Sequence, residues 1–270
     1  MSATFAQLRA AGRRAFIPFV VAGDPDLAAT ERAARALVRA GADLLEVGVP
    51  FSDPIADGPV NQRAAHRALL QGVTLADVLD LARRLRPEVT VPVVLLSYYN
   101  PILRYGLDRF CTDAAAAGVD GVVVPDLPPE EADGLIAAAR PAGVDTIFLL
   151  APTSTDERIR LVADRSTGFI YCVSLTGVTG VRERLSADLD GLVGRIKRLT
   201  ATPVCVGFGV STPDQARAVA GVADGVIVGS ALVAVLEQGG VSPEAQSAVG
   251  DRITRLEHLA GTLRAGIDAS

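Results

Sequence analysis

Residues 40–50 read AGADLLEVGVP, a stretch in which the end of a helix leads into a strand. Ala40 and Gly41 suit the helix end, because glycine adopts the left-handed conformation that closes a helix. The apolar run Leu44–Val47 has the near-continuous hydrophobicity of a strand covered on both faces. The same transition recurs as AGVD at 117–120 and at 142–145. The repetition indicates a chain built from repeated βα units.

Eight short apolar runs have the composition of buried strands. They are Phe16–Val21, Leu44–Val47, Val91–Leu96, Gly121–Val124, Asp145–Leu150, Gly168–Val173, Pro203–Val206 and Gly225–Val228. Segments of helical period separate them, namely Leu27–Ala40, Leu75–Arg84, Leu107–Ala117, Glu130–Ala139, Asp156–Asp164, Ala187–Leu199 and Thr212–Ala220. Eight strands alternating with helices in 270 residues predict an α/β fold, a single (β/α)8 TIM barrel domain over residues 1–270. An open doubly wound sheet is the alternative.

The longest separations between predicted strands follow the second strand and the sixth. In a barrel we expect both insertions near the C-terminal face, where active sites are built. An extra N-terminal helix is expected at Thr4–Ala11, and a longer helix, Ser242–Arg264, closes the chain.

Composition and charge argue against a nucleic-acid-binding, membrane-spanning or secreted protein. The net charge of -5 provides no electrostatic footprint for nucleic acid. No apolar run approaches the roughly 20 residues of a membrane span, and the N-terminal residues lack the apolar core of a secretory signal. We therefore expect a cytoplasmic protein that binds neither nucleic acid nor a membrane. The three cysteines, Cys111, Cys172 and Cys205, are scattered and fit reduced thiols in a core.

The strand at Leu44–Val47 contains an acidic residue. Side chains alternate along a strand, so Glu46 shares a face with Leu44. A carboxyl group among apolar side chains is costly unless it is paired or kept neutral by a raised pKa. Glu46 is therefore a member of a buried ion pair, a strand-end residue that reaches solvent, or a general acid/base at the barrel mouth.

Asp57 lies in the loop that follows, residues 51–59, FSDPIADGP. Two prolines and a glycine would fix the shape of this loop and hold a carboxylate over the mouth. Alone, an aspartate here is typical of a turn. Together, Glu46 and Asp57 suggest an acid/base pair placed across a substrate.

Three consecutive glycine-bearing loops predict a phosphate site. They are residues 174–182, SLTGVTGVR, residues 207–211, GFGVS, and residues 229–230, GS, at the head of a short helix. Glycine lets backbone N–H groups approach an anion, and a helix N-terminus adds a favourable dipole. The candidate phosphate-binding residues of the last two loops are Gly207, Phe208, Gly209, Gly229 and Ser230.

The scarcity of lysine and histidine excludes two other aldolase mechanisms. A Schiff-base aldolase needs a lysine inside the barrel, but Lys197 is the only lysine and belongs to a predicted outer helix. A metal aldolase would need several histidine ligands, whereas His66 and His258 both belong to helical segments and are expected at the surface. No metal site is predicted, and the carboxylates remain as the candidate catalytic groups.

Residues 45–59, LEVGVPFSDPIADGP, closely resemble the signature of the tryptophan synthase α chain family. The likeness continues in order along the chain, through 18–25, 98–102, 125–128, 177–180, 207–209 and 229–230. Small departures at Ser97 and Leu175-Thr176 remove no functional residue. The resemblance implies a lyase of tryptophan biosynthesis that cleaves indole-3-glycerol phosphate to indole and glyceraldehyde 3-phosphate by a retro-aldol step.

The resemblance also implies roles for individual residues. Glu46 matches the family's acid/base, which would protonate indole C3 and take the proton from the side-chain hydroxyl. Asp57 matches the carboxylate that accepts a hydrogen bond from the indole N–H. The other implied substrate contacts are Phe19, Leu96, Tyr98, Leu127, Tyr171 and Thr179. The loop after strand six resembles a lid in which Thr179 closes onto Asp57 and the backbone at Gly180 reaches the phosphate.

Partners and cofactors are likewise implied by the resemblance. The family's α chains act with a pyridoxal-phosphate β chain in an αββα heterotetramer, so the α chain itself would need no cofactor. Asp53 and Pro54, the Asn100-Pro101 turn and the Pro128-Pro129 segment would face that partner.

Three other functions are weighed against this one. Another sugar-phosphate barrel, such as an isomerase, would share the phosphate loops but not the Glu46–Asp57 spacing. Indole-3-glycerol phosphate synthase would need a lysine in the barrel. A non-catalytic paralogue that serves only to activate a β chain is disfavoured by intact Glu46, Asp57 and Thr179.

Overall fold

The computed structural model describes residues 1–173, 182–207, 209–237 and 243–270, except for the side chains of 182–188 and 243–248. The strands are β1 (Ala15–Val21), β2 (Leu45–Gly48), β3 (Val93–Leu96), β4 (Gly121–Val123), β5 (Asp145–Ile147), β6 (Leu149–Leu150), β7 (Ile170–Val173), β8 (Val204–Gly207) and β9 (Gly225–Val228). The helices are α1 (Ser2–Ala10), α2 (Leu27–Arg39), α3 (Pro59–Leu70), α4 (Leu75–Leu85), α5 (Tyr99–Tyr105), α6 (Leu107–Ala116), α7 (Asp133–Ala142), α8 (Asp156–Arg165), α9 (Arg182–Leu199), α10 (Pro213–Ala220), α11 (Ser230–Glu237) and α12 (Pro243–Asp268).

The sheet closes into a barrel. All pairings are parallel, in the order β5-β4-β3-β2-β1-β9-β8-β7-β6. Its two ends, β5 and β6, are separated only by Phe148, whose carbonyl accepts a hydrogen bond from Tyr171 N at 3.0 Å. Both segments are therefore halves of one barrel strand, the predicted run Asp145–Leu150. The predicted eight-stranded (β/α)8 barrel is confirmed, with the extra helix α1 before it.

Because successive side chains of a strand point to opposite faces, the strand residues form two apolar layers. One set of strand residues packs against the helices, and examples are Phe16, Val47, Val93, Val122 and Cys172. The other set fills the barrel interior. It contains Ile17, Leu44, Val94, Val123, Ile147, Phe169, Cys205 and Ile227. Glu46 follows Leu44 by two positions and therefore points into the interior, as the strand pattern predicts.

Three aspartates at the starts of strands form hydrogen bonds at the amino-terminal end of the barrel. Asp43 accepts a hydrogen bond from Phe16 N at 2.9 Å, Asp120 from Val93 N at 2.8 Å, and Asp224 from Val204 N at 2.9 Å. Each side chain thus binds the start of the preceding strand. Each also forms an ion pair with a cation from an outer helix or its C-terminal cap. The pairs are Asp43 with Arg264, Asp120 with Arg86, and Asp224 with Lys197. Asp43 and Asp120 end two of the AGxD sequences and Asp224 ends the related sequence AGVAD at 220–224, so these aspartates fix strand register at this end.

Side-chain caps begin three of the helices, and the predicted glycines follow three helix ends. Asp26, Thr155 and Thr212 are N-caps whose side chains accept backbone hydrogen bonds at the starts of α2, α8 and α10. Gly41, Gly118 and Gly143 have positive φ values, as expected for glycines that follow a helix. These local signals succeed because the hydrogen-bonding partners lie within a few residues.

Other boundaries differ from the sequence predictions. The segment predicted as a helix at Glu130–Ala139 is a 3-10 turn, Pro129–Glu131, followed by α7, which continues through Pro141 because a proline in the last turn removes only one hydrogen bond. Helix α5 lies in a segment where no helix was predicted, whereas α3 is the helical segment expected around His66, for which no bounds were predicted. The insertion after strand two is thus largely helical, and α3 begins directly after Asp57 and Gly58. Within the described ranges, none of the helices combines the length and apolarity that a membrane crossing requires.

Candidate active site

A cavity of about 260 Å³ opens at the carboxyl ends of the strands. Its walls come from strand ends and from the loops that follow them. They include Phe19, Asp57, Asn61, Leu96, Val123, Pro125, Leu149, Tyr171, Val173, Gly207, Gly209, Ile227, Gly229 and Ser230. A site at this face is the rule for barrels of this kind, since eight loops converge there.

Glu46 lies below this cavity in the middle of β2. Its Cα is paired with Phe19 in β1 and with Val94 in β3. The residue is 1% exposed, and both carboxyl oxygens are buried without a hydrogen-bond partner among the described residues. Burial, with a smaller contribution from the Asp57 charge, raises the pKa of Glu46 to about 8. The side chain therefore carries a proton at neutral pH and can act as a general acid.

Asp57 is held above Glu46 by the loop after β2. Its backbone N–H donates to the Pro54 carbonyl at 3.0 Å, which closes a tight turn. Its carbonyl accepts a hydrogen bond from Gln62 Nε2 at 2.9 Å, which ties the loop to the first turn of α3. Burial raises the pKa of Asp57, while hydrogen bonds from Tyr98 and Asn61 oppose that rise. The two carboxyls thus have different surroundings, since Glu46 has no hydrogen-bond partner among the described residues and Asp57 has a donor in Tyr98.

Tyr98 links the Asp57 loop to the end of β3. Its hydroxyl donates to Asp57 Oδ2 at 2.9 Å and accepts a hydrogen bond from Ala56 N, also at 2.9 Å. Its ring stacks on Phe51 with centroids 5.1 Å apart. Tyr98 was predicted as a wall residue, but it is not among the residues that line the cavity of about 260 Å³. Its hydroxyl instead fixes both the loop and the Asp57 carboxylate.

The opposite side of the cavity is formed by strand-end glycines. Gly207 ends β8, Gly209 follows in the next loop, and Gly229 precedes α11, whose first residue is Ser230. The free backbone N–H groups at the start of α11 suit an anion. Four of the predicted phosphate-binding residues therefore line one wall together.

Most of the remaining predicted residues also meet here. Phe19, Leu96 and Tyr171 line the cavity, whereas Leu127 is buried in the outer core and is not among the lining residues. Thr179, Gly180 and Phe208, together with the predicted lid, lie outside the described residues. Asn61 is a lining residue that sequence reasoning missed, because the start of the helix around His66 was not located. The Gly58-Pro59 pair, with proline at the first helical position, is the signal that could have placed it.

The two histidines and three cysteines are not among the residues that line the cavity. His66 and His258 are exposed, as predicted, and the three cysteines are buried and free. Burial raises the pKa of Cys172 to about 12 and so keeps its thiol protonated. Over the part of the chain that the structure describes, no group of three or more histidine, cysteine or acidic side chains could hold a metal ion.

Comparison with known proteins agrees with this geometry. A family model described as "Tryptophan synthase alpha chain" matches residues 5–266. The tryptophan synthase alpha chain of Geobacter sulfurreducens is 54% identical over 238 residues, which cover 88% of this chain and 90% of that one. That of Geotalea uraniireducens is 47% identical over 270 residues, covering 100% of this chain and 98% of the other. The crystal structure of tryptophan synthase subunit alpha from Legionella pneumophila str. Paris has a TM-score of 0.90 at 38% identity, covering 100% of this chain and 98% of that chain.

A closed (β/α)8 barrel with a buried, neutral carboxyl beside a second carboxylate at its mouth defines a class, that of barrel enzymes with an acid/base site at the strand ends. Within that class, the chain belongs to the tryptophan synthase α chain family. It is a lyase of tryptophan biosynthesis, the α subunit that cleaves indole-3-glycerol phosphate to indole for a β subunit.

Substitution of Gly207 tests how closely the cavity wall is packed. A Cβ atom at this position would lie 2.7 Å from both Cε1 and the hydroxyl oxygen of Tyr171. Because that separation is too short, Gly207→Ala must turn the tyrosine ring from its place. We expect kcat/KM for indole release to fall by about 10- to 100-fold, since small displacements at a reacting site are costly.

Gly261→Ala is the matched control, because a Cβ there would have no neighbour within 4 Å. We expect it to leave the kinetics unchanged. Unchanged kinetics in Gly207→Ala as well would mean that Tyr171 moves without consequence.

Proposed function

We propose that this chain cleaves its substrate by general acid/base catalysis, with Glu46 as the proton donor and acceptor and Asp57 as the charge-stabilising group. The supporting observation is the isolation of Glu46, a carboxyl group 1% exposed whose oxygens have no partner among the described residues. A buried group of this kind costs stability, and its presence in a cleft is therefore evidence of a role in the reaction.

The proposed reaction has two proton transfers. Neutral Glu46 gives its proton to C3 of the indole ring, which leaves positive charge on the ring nitrogen. The resulting carboxylate takes the proton of the hydroxyl on the carbon attached to C3. As that O–H bond breaks, the carbon–carbon bond to C3 breaks too, and its electron pair returns to the ring. Indole and glyceraldehyde 3-phosphate leave, and Glu46 is protonated again.

Asp57 would accept a hydrogen bond from the indole N–H throughout this sequence. The interaction strengthens when the ring becomes positive, so it favours the transition state over the bound substrate. The raised pKa of Glu46 supports this division of labour, because the neutral acid donates its proton while the second carboxylate carries the negative charge.

The proposed orientation of the substrate follows from the residues that line the cavity. The phosphate would bind the backbone at Gly207, Gly209 and Gly229 and the start of α11 at Ser230, with Gly180 and Phe208 as further proposed contacts. The indole would lie against Phe19, Leu96 and Tyr171. Thr179, Tyr98 and Leu127 stay proposed substrate-site residues.

We propose in addition that the chain works as one domain over residues 1–270, in the cytoplasm, as the α subunit of an αββα complex with a tryptophan synthase β chain. Family membership supports the β chain as partner. Pyridoxal phosphate is then expected only in that partner, and the α chain is expected to need no cofactor.

An assay of indole release from indole-3-glycerol phosphate tests the proposal, first with the purified chain alone and then with a β chain. We expect slow release that rises sharply when the β chain is added. The absence of indole under both conditions, from a protein that is folded by circular dichroism, would contradict the proposed reaction.

A further inference from the structure

A network of arginines and carboxylates joins three elements that contribute to the active-site cavity. Arg67, in α3, donates from Nε and Nη2 to the two carboxyl oxygens of Asp24, at 2.7 and 2.8 Å. Its Nη1 donates to Glu237 Oε1 at 3.0 Å. Arg63, one turn earlier in α3, donates from Nε and Nη2 to the two oxygens of Glu237, at 2.6 and 2.9 Å. We call these four residues the arginine network.

Each of the three elements also carries part of the site. Strand β1, which precedes Asp24, contains the lining residue Phe19, α3 begins shortly after Asp57, and α11 begins at Ser230 in the proposed phosphate wall. Glu237 is the last residue of α11. At a rise of about 1.5 Å per residue, the network lies about 12 Å along α3 from its start and about 10 Å along α11 from its start. Both helices therefore run from the cavity to the network.

Apolar packing between these elements does not fix their relative position along the helix axes. One cluster is formed by Ala64 and Ala65 of α3, Val233 of α11, and Phe19 and Val21 of β1. Alanine side chains form shallow ridges, so they let the helices approach closely but resist sliding only weakly. Hydrogen bonds from a planar guanidinium are directional, and bidentate pairs are the most so. The arginine network therefore fixes how far α11 lies along α3.

The charges of the network suit an orienting role. Asp24 is 1% exposed, and its carboxylate is paired with Arg67. Hydrogen bonds from Arg63 and Arg67 lower the pKa of Glu237 to about 2 against the effect of burial, so this carboxyl stays ionised at neutral pH. A buried ion pair contributes little net stability, because desolvation offsets the attraction, but its geometry is strict.

We propose that Arg67 and Glu237 are positioning residues, which hold the Asp57 loop and the phosphate-binding start of α11 at the separation that the substrate spans. Neither residue is among those that line the cavity. The inference rests on the proposed placement of the indole and the phosphate, and it adds to that placement two residues that do not touch the substrate.

A positioning role predicts a difference between ligands that bind one subsite and a ligand that spans two. Inorganic phosphate probes the phosphate wall alone, and indole probes its own subsite alone. An indole joined at C3 to a phosphate by a three-carbon chain without hydroxyl groups spans both subsites, and it cannot be cleaved because it lacks the hydroxyl that gives up a proton. A merely structural role would weaken all three ligands or none.

Two variants break the network without leaving a buried charge unpaired. Glu237→Met removes the acceptor and keeps an unbranched side chain of similar length. Asp24 then keeps its partner Arg67, and α11 stays attached because Arg252 from α12 donates to the Leu236 carbonyl at 2.9 Å. Arg67→Lys keeps a positive charge beside Asp24, but an ammonium group cannot reproduce the planar fork that binds two carboxylates.

Glu257→Met is the matched control. Glu257, in α12, accepts hydrogen bonds from Nε and Nη2 of Arg39 in α2, at 3.0 and 2.7 Å, so it forms the same bidentate pair between two helices. Neither Glu257 nor Arg39 lines the cavity.

The binding of the three ligands to the full-length chain is the test, by calorimetry for the spanning analogue and by NMR titration for phosphate and indole. In Glu237→Met and Arg67→Lys we expect the Kd of the spanning analogue to rise by about 10- to 100-fold, because a displacement of about 1 Å between two fixed contacts is this costly. The Kd values of phosphate and indole should stay near those of the wild type. KM for indole-3-glycerol phosphate should rise with the first Kd, and Glu257→Met should change none of these values.

An unchanged Kd for the spanning analogue in folded Glu237→Met would overturn the proposal. An equal loss for all three ligands would also overturn it, since that result marks a structural role. If Arg67→Lys does not fold, Glu237→Met alone gives the answer. In the wild type the analogue must bind more tightly than phosphate or indole. If it does not, the proposed placement of the substrate is wrong and the inference falls with it, an outcome distinct from a tight wild type with unchanged variants.

Discussion

In Glu46→Gln, kcat for indole release is expected to fall by about 10³-fold or more, because the amide can neither donate a proton to indole C3 nor take one from the hydroxyl. The carboxyl group is buried among apolar side chains, with both oxygens unpartnered among the described residues. Glutamine has almost the same shape, so substrate binding should remain and KM should change far less than kcat. Single-turnover kinetics at saturating substrate measure this loss directly.

The exposed Glu157→Gln, in the first turn of α8, is the matched control and should leave kcat unchanged. If folded Glu46→Gln kept more than about a tenth of the wild-type kcat, a general acid/base role for Glu46 would be untenable, since such groups contribute at least 10²-fold.

The same substitution has a pH-dependent effect on stability. The pKa of Glu46 is about 8 in the folded chain against an ordinary value of 4.5. Below pH 4.5 the group is neutral in both states and costs nothing. As the pH rises from 4.5 to about 8, only the unfolded chain releases the proton, so the free energy of unfolding falls.

Over that whole window the loss is on the order of 5 kcal/mol. Glu46→Gln should remove it, so the variant should be more stable than the wild type at pH 8 and similar at pH 4.5. Urea unfolding at the two pH values measures the difference. An equal stability difference at both would contradict the raised pKa.

Asp57→Asn is expected to lower kcat by about 10²- to 10³-fold, because the charge that stabilises the positively charged indole ring is lost. Tyr98 and Asn61 would still hold the side chain, so its position should be kept while its charge is removed. The exposed Asp214→Asn is the control and should have no effect on the kinetics.

Asp57→Asn also tests whether the charge of Asp57 raises the pKa of Glu46. Burial is the main cause of the raised pKa of Glu46, and the Asp57 charge is the other. Without that charge the pKa of Glu46 should fall, so the alkaline limb of the residual activity should move to lower pH. An alkaline limb that stays in place would mean that the two groups do not interact.

The architecture is largely readable from local patterns. Near-continuous apolar runs, the recurring AGxD transitions and the capping residues Asp26, Thr155 and Thr212 each depend on neighbours within a few positions. Glu46 was found in the same way, because a carboxyl in an apolar strand departs from the pattern around it. Where local signals were mixed, helix α5 was missed, and α3 was expected around His66 without its bounds.

The sequence by itself therefore determined that the chain is a (β/α)8 barrel with Glu46 and Asp57 as its candidate chemical groups. Only the tertiary structure decided what surrounds them. Glu46 has no hydrogen-bond partner among the described residues, Tyr98 donates to Asp57, and Gly207 lies against Tyr171. These are facts about residues far apart along the chain. Their contact depends on barrel closure, and the pKa of a buried carboxyl depends on every group that closure brings near it.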